Sequence, residues 1–100
     1  MIHLDPKDMD LVKKILRVFA PEGRKIFAFG SRVTGIRLKR HSDLDLCIMG
    51  DTPMTSREIS DLKDAFSNSN LAIRVDVVDW ADTKPNFQAI IKDNCEEITL

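Results

Sequence analysis

The chain has 100 residues, 43% of them hydrophobic and 31% charged, a composition that fits one globular domain with a single modest core and excludes disorder. A net charge of −1 excludes a bulk polyanion binder, and two scattered cysteines with two histidines form neither a disulfide framework nor a zinc pattern. No apolar run is long enough to span a bilayer, and Met1 to Asp5 lacks a secretory layout, so a cytoplasmic protein with no membrane partner is expected.

Asp5-Pro6 opens a first helix, with Asp5 as the cap and Pro6 at the first helical position. Val12, Ile15, Leu16 and Phe19 form its apolar stripe, and Pro21 and Gly23 end it. Ile26 to Phe29 reads as a short buried strand. Gly30-Ser31 breaks it, and Ser31 is expected to cap a helical turn running to about Gly35. Ile36 to Ser42 reads as a basic loop. From Gly23 to Ser42 there are six basic residues and no acid, whereas the other nine basic residues face all sixteen acids. This local excess suits a nucleotide phosphate, although it also fits a solvated loop.

Asp43 to Met49 alternates as a second strand. Leu44, Leu46 and Ile48 point one way, and Asp43, Asp45, Cys47 and Met49 point the other. Thr55 and Glu58 form a capping box for a second long helix with Ile59, Leu62, Ala65 and Phe66 on its apolar face. Leu71 to Asp79 predicts a third strand, with Asp76 on the face opposite Val75 and Val77. Phe87, Ile90 and Ile91 suggest a last helix, and Ile98 to Leu100 a last strand. The order predicts an α/β (α+β) fold over 1–100, a small mixed sheet with helices packed on it.

Asp43 and Asp45 stand at i and i+2, about 6.7 Å apart along one strand face. An Asp-x-Asp pair alone is weak, because acidic pairs at strand ends are common. Three features strengthen it. Gly30-Ser31 offers backbone and hydroxyl donors where a helical turn begins. Arg32, Arg37, Lys39 and Arg40 supply counter-charge. Asp76, flanked by valines, is costly unless paired or metal-bound, and joins the pair if the third strand lies beside the second. Three such carboxylates repel one another unless cations bind, and all-oxygen donors suit two Mg²⁺ or Mn²⁺ ions. Elsewhere, Cys47 reads as a packed thiol, His41 as an exposed loop residue, Trp80 as packing or a base-stacking ring, and Asp79 as a strand-end carboxylate.

Phe29-Gly30-Ser31-Arg32-Val33-Thr34-Gly35 followed by Ser42-Asp43-Leu44-Asp45-Leu46 resembles the signature of minimal nucleotidyltransferases of the DNA polymerase β-like superfamily. In particular it is similar to the MNT antitoxins of HEPN–MNT pairs. The eleven residues between Ser31 and Asp43 make the loop one residue longer than that group's pattern. The resemblance implies a polymerase β-like palm. Gly30, Ser31 and, with a less defined role, Arg32 would hold the nucleotide. Asp43, Asp45 and Asp76 would hold Mg²⁺, with Asp76 near the attacking hydroxyl. It implies transfer of a nucleoside monophosphate, AMP from ATP, to a hydroxyl of a HEPN toxin in a homo- or hetero-oligomer. A palm of this size has little to grip an acceptor, so a partner is expected to complete the site. The rival expectations are a non-catalytic binding antitoxin and transfer to a small molecule.

Overall fold

The structure, a computed structural model, describes all 100 residues. Helix α1 spans Pro6–Phe19, strand β1 Ile26–Phe29, α2 Ser31–Thr34, β2 Leu44–Ile48 and α3 Ser56–Ser67. Strand β3 spans Val75–Asp79, followed by a 3-10 turn at Trp80–Asp82, α4 at Pro85–Asp93 and β4 at Cys95–Ile98. The sheet order is β3-β2-β1-β4. Strand β1 runs antiparallel to β2 and to β4, and β2 runs parallel to β3. The mixed sheet expected from the element order is therefore present. The parallel β2–β3 pair needs a crossover, and α3 supplies it.

The two faces of the sheet divide the apolar side chains by strand alternation. Leu44, Leu46 and Ile48 join Val12 and Leu16 of α1 and Leu62 and Phe66 of α3 in the main core. The opposite face carries a smaller cluster of Phe29, Cys47 and Ile91, covered by α4. Asp45 and Asp76 share this second face by the same alternation. A face only partly covered by one nine-residue helix leaves room for a site at its open end.

Local chemistry fixes the helices as the residues predict. Asp5 Oδ1 accepts from Lys7 N at 2.8 Å, and Pro6 begins α1. Thr55 and Glu58 exchange both bonds of a capping box. Three boundaries differ from expectation. Gly30, at φ 78°, is the cap of α2, and Ser31 is its first helical residue, so the Ser31 hydroxyl is not a cap. The third strand begins at Val75 rather than Leu71, because residues 72–73 bend before pairing starts. The last strand is Cys95–Ile98, where Phe29 to Ile26 provide partners, and not Ile98 to Leu100.

Asp79 is also more than a strand-end carboxylate. It is 7% exposed, and its Oδ2 accepts from Met54 N at 2.7 Å. It therefore ties the end of β3 to the segment leading into α3. Its Oδ1 is buried without a partner.

Candidate active site

The sheet register builds the site. Asp45 is the second residue of β2 and Asp76 the second of β3, and the parallel pairing sets them side by side. On its other flank Asp45 faces Phe29, the last residue of β1. Just past Phe29 the chain turns at Gly30, and the Asp45 carboxylate lies over that glycine. A Cβ on Gly30 would stand 2.5 Å from Asp45 Oδ2. Glycine is thus required twice here, for the positive φ and for the close approach.

The electrostatics follow from this crowding. Burial pushes the Asp45 carboxyl up to about 6, and the negative charges of Asp76 and then Asp43 add to the effect. The three acids predicted from sequence therefore act on one electrostatic site. They are not drawn together into one coordination shell, since no group of three His, Cys, Asp or Glu side chains converges on a common point. Asp76 is turned partly aside, its Oδ1 3.6 Å from Arg74 Nε. A cluster of hard oxygen donors that already binds a proton too tightly is chemically suited to a divalent cation, which would relieve the same repulsion.

Gly30 and Asp45 line a cavity of about 690 Å³ together with Asp76, and this cavity extends toward α4. Ser31 is partly exposed beside it at the start of α2, whose Val33 and Thr34 N–H groups both donate to Gly30 O at 3.0 Å.

Arg32 is placed differently from the nucleotide-holding expectation. Its side chain is 8% exposed and turned into the fold. Nη1 donates to His3 O at 2.9 Å, Nη2 to Ser42 O at 2.9 Å and Arg40 O at 3.2 Å, and Nε to Ser42 O at 3.1 Å. All three guanidinium nitrogens are engaged, so Arg32 pins the amino-terminal arm and the basic loop against α2. Its partners are carbonyls eight to 29 residues away, which no local pattern discloses.

Cys47 is fully buried, and burial pushes its thiol up to about 12, which fits the packed role expected of it. His41 is exposed in the loop. The Trp80 ring lies under Lys92 Nζ at 5.3 Å. Arg74 and α4 belong to the site although neither is expected there from the sequence, where Arg74 shows only as a neighbour two residues before Asp76 on the same face.

The Polymerase beta, Nucleotidyltransferase family matches residues 11–99. The chain belongs to this family. It is a nucleotidyltransferase with the polymerase β-like fold that the element order and motif suggest. It is 41% identical over 91 residues to a Haemophilus influenzae protein named "Probable protein adenylyltransferase MntA", covering 91% of this chain and 78% of that one. The fold is similar to a chain of a toxin–antitoxin crystal structure with AMP-PNP. The TM-score is 0.73 at 22% identity, over 89% of this chain and 70% of that one. A chain of an MntA–HepT toxin–antitoxin crystal structure is similar at TM-score 0.66 and 18% identity, over 93% and 70%.

Proposed function

We propose that the protein transfers AMP from ATP to a hydroxyl group on a partner protein, and that this partner is a HEPN-type toxin which the modification neutralises. The observation that carries the chemistry is the lateral Asp45–Asp76 pair set against the Gly30 turn. The protein substrate is supported by the 41% identity to the Haemophilus influenzae protein named as an adenylyltransferase, and the HEPN partner by the motif's resemblance to MNT antitoxins.

In this reading the turn at Gly30 and Ser31 receives the triphosphate through backbone N–H groups and the Ser31 hydroxyl. Gly30 admits phosphate close to the chain because it has no Cβ. Asp43, Asp45 and Asp76 would supply oxygen donors to Mg²⁺, although they do not converge on one point without it, and Mg²⁺ when bound neutralises charge on the triphosphate and on the departing pyrophosphate. The acceptor oxygen forms a bond to the α-phosphorus as the bond to the pyrophosphate oxygen breaks. Asp76, at the outer edge of the sheet, takes up the hydroxyl proton. Arg32 acts indirectly, by holding the loop that leads into Asp43.

Radiolabel position tests this directly. With partner and Mg²⁺ present, label on the α-phosphate of ATP should become fixed to the partner and label on the γ-phosphate should leave as pyrophosphate. Transfer of γ-label, or of neither, would overturn the reading.

A further inference from the structure

The cavity that begins at Gly30, Asp45 and Asp76 changes character along its length. Its far wall is apolar, made by Val78 of the sheet and by Phe87 and Ile90 of α4. Helix α4 does not need these two residues for anchorage, since Ile91 is wholly buried against the sheet. Phe87 is nonetheless 38% exposed and Ile90 65% exposed. Phe87 is held in position by Phe29, the two rings meeting edge to face at 5.9 Å and 79°. Phe29 is also the strand partner of Asp45, so the aromatic wall is registered directly to the acids. Asp93 and Asn94, just before the Cys95 that pairs with Phe29, return the chain to the Gly30 end of the cavity.

A ligand matched to this gradient is anionic at one end and flat and apolar-faced at the other. We infer that Phe87 and Ile90 form the nucleobase subsite, with the base of a nucleoside triphosphate lying on Phe87. This assignment rests on the nucleotidyl-transfer reading above and adds to it the residues that would recognise the base. Stacking on an aromatic ring tolerates any base, and a purine covers more of the wall than a pyrimidine. The subsite therefore favours purine over pyrimidine triphosphates.

Calorimetric titration of the full chain in Mg²⁺ separates the base from the phosphates. ATP, UTP and inorganic tripolyphosphate are compared. The wild type should bind ATP about tenfold or more tightly than tripolyphosphate, with UTP between them. Phe87→Ala should lose about tenfold in ATP affinity with tripolyphosphate unchanged, and Phe87→Trp should restore it. Ile90→Ser, at an exposed position that spares the fold, should lose a smaller factor in the same selective way. Variants that bind ATP like the wild type would overturn the subsite, as would equal losses for ATP and tripolyphosphate. Loss of partner binding with ATP affinity intact would reassign the wall to protein docking. If the wild type binds neither ATP nor tripolyphosphate, the nucleotide reading itself fails, and the subsite fails with it.

Discussion

Asp45 carries the largest electrostatic burden of the acids at the site. Its carboxyl titrates near 6 in the folded chain against 3.8 as a free side chain. Between those values the folded protein holds a proton that the unfolded chain has released, so stability falls as pH rises through the window. The full penalty is present above about pH 6. A shift of this size in a fully buried group would be worth roughly 3 kcal/mol, but solvent screening at this half-exposed carboxylate reduces it to about 1 kcal/mol. Asp45→Asn should therefore raise the melting temperature by about 4–8 °C at pH 7.5 and by almost nothing at pH 4, while abolishing transfer. Thermal melts of both proteins across that pH range check the sign. Arg32 behaves in the opposite way. Arg32→Ala frees three carbonyls from a charged donor and should cost about 2–3 kcal/mol, read by urea denaturation. Arg32→Lys should recover little of it, because an ammonium cannot replace the guanidinium fork. The acids were legible in the sequence because strand alternation fixes their face and an unpaired carboxylate between valines needs a reason. The role of Arg32 was not legible, because the carbonyls it binds are brought to it only by the folded loop and arm.

At the scale of elements, caps and alternation account for what could be read in advance. Asp5, Pro6, Thr55 and Glu58 mark both long helices where they begin: Asp5 and Thr55 accept from first-turn N–H groups, Glu58 accepts from the Thr55 N–H, and Pro6 has no N–H to satisfy. The backbone and hydroxyl of Thr55 hold the exposed Glu58 carboxyl below its usual range, so the stability this box contributes is lost as pH falls toward the carboxylate range. Strand ends were less legible. The chain from Leu71 to Arg74 has strand-like composition, but pairing with β2 starts only at Leu44↔Val75. Asp79 is the clearest case of a tertiary role hidden from local pattern. It joins the end of β3 to Met54, 25 residues away. Asp79→Ala leaves the Met54 N–H buried without its acceptor and should destabilise the fold by about 1–3 kcal/mol. Hydrogen exchange should show the loss first as faster exchange at the start of α3. Unchanged exchange there would mean that the bond does not couple the two elements.

Over the whole molecule, one register choice brings the chemistry together. Parallel pairing of β2 with β3 aligns Asp45 with Asp76, and antiparallel pairing of β1 with β2 carries the Gly30 turn to the same end of the sheet. The fold class and the order of the motifs could be read from the sequence, since they follow from alternation, caps and the Gly-Ser and Asp-x-Asp pairs. The apolar wall of the cavity could not, because Phe87 and Ile90 read there only as part of a last helix. In the proposed reaction the partner holds the acceptor hydroxyl about 3–3.5 Å from the α-phosphorus, a placement that can contribute roughly 7–11 kcal/mol. The isolated protein should therefore turn over ATP slowly, and the partner should accelerate it by presenting the acceptor. The most direct measurement is the intact mass of the partner after incubation with ATP, Mg²⁺ and either wild-type protein or Asp76→Asn, with complex formation measured in parallel. The wild type should add mass to the partner in AMP steps and relieve its toxicity. Asp76→Asn should still form the complex but add no mass and fail to neutralise at equal expression. A variant that neutralises fully without any mass gain would contradict the account, leaving binding alone as the mechanism.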